Sequence, residues 1–131
     1  MTTPTGRALA AALTLTVVTA CERLPTAPPA EAVWFGPPAH FRDLWVATEQ
    51  CSGRQRSYDD IRWYVVPDAW QVADHKGRLV AAFYDLRGDY IVVAGAYLTS
   101  DPLIRHEELH AILDRPGHPA EFDRCNLRLD D

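Results

Sequence analysis

The sequence predicts an α+β fold in which one helix precedes three strands of a mainly antiparallel sheet, and a second helix and a short carboxyl-terminal tail follow them. Three observations predict it. Apolar residues recur at helical spacing in two segments, 38–50 and 101–113. Between them lie three runs rich in β-branched and aromatic residues, bounded by turn formers. The part of the chain with folding character, residues 34–131, is about 100 residues long, enough for one domain with a single modest core.

Each element has its own signals. Pro37 and Pro38 stand where the first helix begins, Phe41, Leu44, Trp45 and Thr48 follow on one face, and Gly53 lies past its end. IRWYVVP, residues 61–67, is a strand stopped by proline. Residues 79–84 and 90–98 are apolar runs separated by turn residues and form a hairpin, with Gly95 marking a bulge or a close backbone approach in the second strand. The hairpin tip contains Arg87-Gly88-Asp89, but three residues are too few to support an adhesion function. Asp101 reads as the N-cap of the second helix, and Pro102 suits its first position. Leu103, Leu109, Ala111, Ile112 and Leu113 supply that helix with apolar surface, and Pro116-Gly117 end it.

The amino terminus has the pattern of an address. Arg7 precedes an uncharged run, ALAAALTLTVVTA at 8–20, which is thirteen residues long. A membrane span needs about 20, so residues 1–20 read as an export signal. The run leads into VTAC, residues 18–21, which resembles the bacterial lipobox. That resemblance implies that Cys21 is acylated, becomes the first residue of the mature protein and anchors it to the membrane of an exported, envelope-bound form. The chain has three cysteines; with Cys21 so used, Cys51 and Cys125 remain as a disulfide pair in an oxidising compartment. Closing a loop of about 75 residues contributes on the order of 4 kcal/mol through the unfolded state. Residues 21–33, rich in Pro and Ala, read as a tether to the domain. The formal charge is −5 and no basic run of five exists, which argues against nucleic acid as a partner.

The chemistry concentrates in one stretch. IRHEELHAILDRPGHP, residues 104–119, holds three of the five histidines. His106 and His110 are four apart on the second helix, so both imidazoles reach one ion, and Glu107 lies beside them without being a ligand. HEELH resembles the zincin metallopeptidases, and HEELHAILD is similar to the corresponding helix of thermolysin-like enzymes. The resemblance implies a minimal zincin-like domain in which His106 and His110 bind Zn2+ and Glu107 is the general base toward a zinc-activated water. It also implies a strand beside the helix on which an extended peptide substrate lies, and residues 90–98 are the expected one.

The third ligand departs from the well-known patterns. Where metzincins carry a glycine and a third histidine, this chain has Leu113 and Pro116. The position corresponding to the thermolysin-type glutamate falls near Asp130, at the frayed end of the chain. His118, just past the Pro116-Gly117 turn, is the preferred donor, with Glu121 and Asp123 as alternatives. Asp114 is considered for orienting the histidines, and Tyr84 or Tyr97 for the oxyanion. A chain this small leaves room for a protein partner to complete the cleft, with Trp34 the expected contact. The alternative reading is a zinc-binding or structural interaction lipoprotein without turnover.

Overall fold

Tyr90–Ala94, YIVVA, is an unbroken apolar run, and such a run suits a strand covered on both faces. A computed structural model describes residues 26–129 and places this strand, β6, inside a four-stranded sheet with all five residues buried. The export signal, Cys21, the first part of the tether and Asp130 lie outside the described residues. The strands are β1 (Val33–Trp34), β2 (Arg62–Val66), β5 (Ala82–Asp85) and β6, in the order β1-β2-β6-β5. β6 pairs antiparallel with β5, from Ala82↔Val93 to Asp85↔Tyr90, and parallel with β2, from Arg62↔Tyr90 to Val66↔Ala94. β1 pairs antiparallel with β2.

Three expectations need correction. The sheet has four strands, not three, because the two residues of β1 are too few to show a period. The run 79–84 does not continue as one strand: Leu79–Val80 (β4) leaves to pair with Val72–Ala73 (β3) in a separate ribbon. The run 90–98 stops at Ala94, where Gly95–Tyr97 turn as a 3₁₀ segment. The close approach expected at Gly95 is present, since a Cβ there would sit 2.9 Å from the Asp68 backbone nitrogen and 3.1 Å from the Val66 carbonyl oxygen.

Helix α1 (Ala39–Ser52) runs from extended Pro38 to Gly53, whose left-handed conformation (φ 69°) returns its N–H to the Glu49 carbonyl. Helix α2 (Asp101–Leu113) has its N-cap at Ser100, one residue before the expected Asp101, and ends at its C-cap Asp114 (φ 49°), before Pro116 is reached. Phe41 and Trp45 from α1 and Ile104, Ala111 and Ile112 from α2 bury one face of the sheet against Trp63, Ile91 and Val93. The other face, with Val66, Phe83, Tyr90 and Val92, is packed by Val72 and Val80 of the ribbon and by Ala32. Residues 26–32, read as tether, thus lie along the domain: the Tyr90 hydroxyl donates to the Ala27 carbonyl at 3.0 Å, and the Thr26 hydroxyl donates to the Asp85 carboxylate. Among the described residues no helix is long and apolar enough to cross a membrane.

The carboxyl-terminal tail is more structured than expected. It contains α3 (Ala120–Arg124) and carries the Cys51–Cys125 disulfide that the cysteine count anticipated. Phe122, Cys125 and Leu127 bury themselves against Leu109 of α2.

Gly95→Ala should destabilise the domain by about 1–3 kcal/mol, because the new methyl meets backbone that cannot yield without moving β2. Gly36→Ala, where nothing lies within 4 Å of the added carbon, should leave stability almost unchanged. Urea denaturation of the two variants checks both expectations.

Candidate metal centre

His106 and His110 project from successive turns of α2, and the chain that leaves the helix reverses at Asp114 and again at Gly117 (φ 78°) to bring His118 beside them. Their donor atoms all lie within 4.8 Å of one another. His106 Nε2 is 3.2 Å from His110 Nε2 and 3.2 Å from His118 Nε2.

The opposite ring nitrogens decide what this means. His106 Nδ1 faces the Leu127 carbonyl at 2.6 Å, and His110 Nδ1 faces the Arg115 carbonyl at 3.1 Å. A carbonyl can only accept, so Nδ1 carries a proton in both rings, and in a neutral ring Nε2 is then an acceptor. Two lone pairs facing each other at 3.2 Å repel unless a cation lies between them. Burial, with His106 and His118 adding to it and the Arg115 carbonyl opposing it, pushes the His110 imidazole down to about 4, so that ring is neutral near neutral pH. Three nitrogen donors around a tetrahedral ion with bonds of 2.0–2.1 Å would stand about 3.3 Å apart. The group can hold a metal ion, and imidazole nitrogen suits a borderline transition metal such as zinc.

Phe122 forms the floor, with its ring centroid 5.0, 4.6 and 4.8 Å from those of His106, His110 and His118. Arg128 donates to the His118 carbonyl at 3.0 Å and grips the Asp123 carboxylate at 2.7 and 2.9 Å. Asp123 is thereby turned outward to Arg128, and Glu121 faces Arg54 at 3.7 Å, so neither alternative donor joins the cluster. Asp114 does not orient the histidines; it accepts from the Tyr84 hydroxyl at 2.9 Å, and backbone carbonyls do the orienting instead. That hydroxyl is further engaged by Arg56 at 2.9 Å and Asp89 at 3.0 Å, which ties Tyr84 into a network at the end of α2. Tyr97 packs edge-on against Trp70. Trp34 is exposed, as expected of a contact residue, and Trp70, which the sequence did not single out, is equally so.

The two glutamates of HEELH part company. Glu107 is 5% exposed and faces the Tyr84 backbone N–H on β5; burial pushes its carboxyl up to about 8, and that N–H opposes the shift. β5 is the strand at the end of the sheet, whereas β6 is enclosed between β2 and β5. The strand expected to receive peptide, 90–98, therefore lies inside the sheet; among the described residues β5 ends it, with the Tyr84 N–H facing Glu107. Glu108 points the other way, into the core, fully buried and with no hydrogen-bond partner on either oxygen. Burial pushes its carboxyl up to about 9; Arg105 opposes the shift and Asp101 adds to it.

A scan of protein-family models, a search of curated proteins and a search of solved structures each returned no match.

The displaced glutamate sets a pH dependence. Glu108 keeps its proton when folded and releases it when unfolded, between the unfolded value near 4.5 and the folded value of about 9. The folded state then binds more protons, so stability falls as pH rises through that window, by up to about 1.4 kcal/mol per unit. Glu108→Gln should flatten this slope, leaving the smaller part due to Glu107, as urea midpoints at pH 5 and pH 8 would show. Titration with Co2+ as a probe should give one equivalent per chain, lost in His106→Ala and His118→Ala and kept in Glu121→Gln and Asp123→Asn.

Proposed function

We propose that this protein is a zincin-like peptidase that holds Zn2+ on His106, His110 and His118 and hydrolyses peptide bonds with Glu107 as general base. The convergence of three imidazole Nε2 atoms, two of them in rings whose Nδ1–H is taken up by a backbone carbonyl, is the observation that carries the reading. Three protein donors with a fourth position left over is the composition of a catalytic zinc site. Zinc bound there would lower the pKa of a water and polarise the scissile carbonyl.

The chain's own groups supply the remaining parts. Glu107 is one residue from the first histidine and turned toward β5; ionised, as the charge of a bound zinc would favour, its carboxylate would take a proton from the attacking water and return it to the departing amine. An extended peptide would pair with β5 at the end of the sheet, taking the Tyr84 N–H from Glu107 and gaining affinity with little dependence on side chains. A disulfide in a domain of this size suits an oxidising compartment, which supports export and, through Cys21, a lipid anchor.

One observation favours a second reading, a zinc-binding envelope module without turnover: Glu107 is only 5% exposed. A catalytic Glu107 must become accessible when substrate arrives, by a shift at β5 or through a partner protein that completes the cleft.

Cleavage of an unstructured protein substrate should be abolished by a chelator and restored by Zn2+. Glu107→Gln should lower the rate by about 10²- to 10⁴-fold while the zinc content stays at that of the parent. Zinc binding without cleavage by the parent would select the second reading, and absence of zinc binding would dismiss both.

A further inference from the structure

We propose that the Cys51–Cys125 disulfide is the clamp that assembles the metal site, so that zinc affinity is set by the redox state of this one bond. The proposal deepens the zinc-site reading above and rests on it.

Helix α2 supplies two donors by itself, His106 and His110, and nothing more of the centre. His118, the Phe122 floor, the Arg115 carbonyl behind His110 and the Leu127 carbonyl behind His106 all come from the segment that follows, residues 114–127. That segment has little structure of its own. Its single helix, α3, is five residues long, far below the length at which a helix is stable alone, and the chain takes left-handed turns at Asp114, Gly117 and Asn126. Its position is therefore set by what it is attached to.

Its attachments to the rest of the fold are non-covalent but for one: Asp114, at its start, accepts from the Tyr84 hydroxyl at 2.9 Å and pairs with Arg56 at 3.4 Å, and the His106 and His110 rings meet the Leu127 and Arg115 carbonyls. Phe122 and Leu127 bury themselves on Leu109, Arg124 donates to the Ser52 carbonyl at 2.9 Å, and the Arg54–Glu121 pair is long and half in solvent. The covalent attachment is Cys125 to Cys51, in the last turn of α1. That turn is fixed in its own right: Gly53 caps it, and Arg105 of α2 donates to the Thr48 hydroxyl at 3.1 Å and lies 3.5 Å from Cys51 Sγ. The bond thus ties the segment carrying the third ligand to the α1–α2 pair carrying the other two.

Reduction by a thiol would undo this. Two thiol molecules become one external disulfide, and the Cys51–Cys125 bond takes up two electrons and two protons to give two thiols. The segment is then held by its non-covalent contacts: Phe122 and Leu127 on Leu109, Arg124 on the Ser52 carbonyl, Asp114 with Tyr84 and Arg56, and the two histidine rings on the Leu127 and Arg115 carbonyls. The fraction of molecules with His118 and the Leu127 carbonyl in place falls, and the apparent zinc affinity falls with it. Coupling of this kind is reciprocal: zinc, which binds the docked segment, must protect the disulfide by the same factor by which the disulfide strengthens zinc binding.

The test uses the full chain. Zinc affinity is measured by competition with a chelator for the oxidised protein and for Cys51→Ser/Cys125→Ser, with far-UV circular dichroism and the thermal transition confirming that the variant is folded. The variant should bind about 10- to 100-fold more weakly, the range seen when groups that orient a ligand are lost. A folded variant with the parent's affinity overturns the proposal and leaves the zinc reading standing, whereas a parent that binds no zinc removes both. If the variant does not fold, the unsubstituted chain decides the matter in a glutathione redox buffer at fixed free Zn2+. Zinc should shift the thiol–disulfide equilibrium toward the disulfide, and no shift, or a shift toward the thiols, sinks the idea.

Discussion

Two backbone carbonyls, those of Leu127 and Arg115, decide what the histidine cluster can be. Three histidines near one another are common enough on protein surfaces, where each ring chooses its tautomer to suit its neighbours. Here His106 and His110 have that choice removed, because Nδ1 of each must donate to an oxygen that cannot give a proton back. The lone pairs are left converging at 3.2 Å, a distance at which like-for-like acceptors repel and at which ligands to one ion are content. The capacity of the cluster to hold a cation thus follows from the backbone path of the segment after α2.

That path depends in turn on the sheet. β6 delivers the chain to the start of α2, and its position between β2 and β5, with α1 and α2 on one face and the ribbon with residues 26–32 on the other, fixes the helix that carries two of the donors. The same order leaves β5 at the end of the sheet beside Glu107. A strand enclosed on both sides makes a rigid platform but cannot recruit another strand; an edge strand can. Division of these duties between β6 and β5 places a stable support and the sheet's last strand on either side of one hairpin.

The domain is small, and its economy shows in the carboxyl-terminal segment. A larger protein would hold such a segment with a helix long enough to bury a face of its own. Here five residues of helix, two buried side chains and one disulfide do the work. The burial of Glu108 without a partner points the same way, because a core of this size has few polar groups available to meet it. Such a carboxyl costs stability whenever it is charged, and the fold tolerates it by keeping it protonated.

What the sequence determined by itself was local. The spacing of four between His106 and His110, the proline-started helices, the start of the apolar strand expected over 90–98 and the pairing left over from the cysteine count are properties of short segments or of simple arithmetic, and periodicity reports them well. The expected export signal and the expected anchor at Cys21 rest on the same local kind of reading and lie outside the described residues. What only the tertiary structure decided was long-range. β1 is two residues and has no period to read; the ribbon splits a run that looks continuous; the parallel pairing of β2 with β6 joins segments nearly thirty residues apart. His118 could be weighed against Glu121 and Asp123 but not separated from them, because that choice follows from Arg128 and Arg54 drawing the two carboxylates away. The carbonyls that fix the histidine tautomers were beyond reach for a plainer reason: every residue has a carbonyl, and only the folded path of the backbone says where it points.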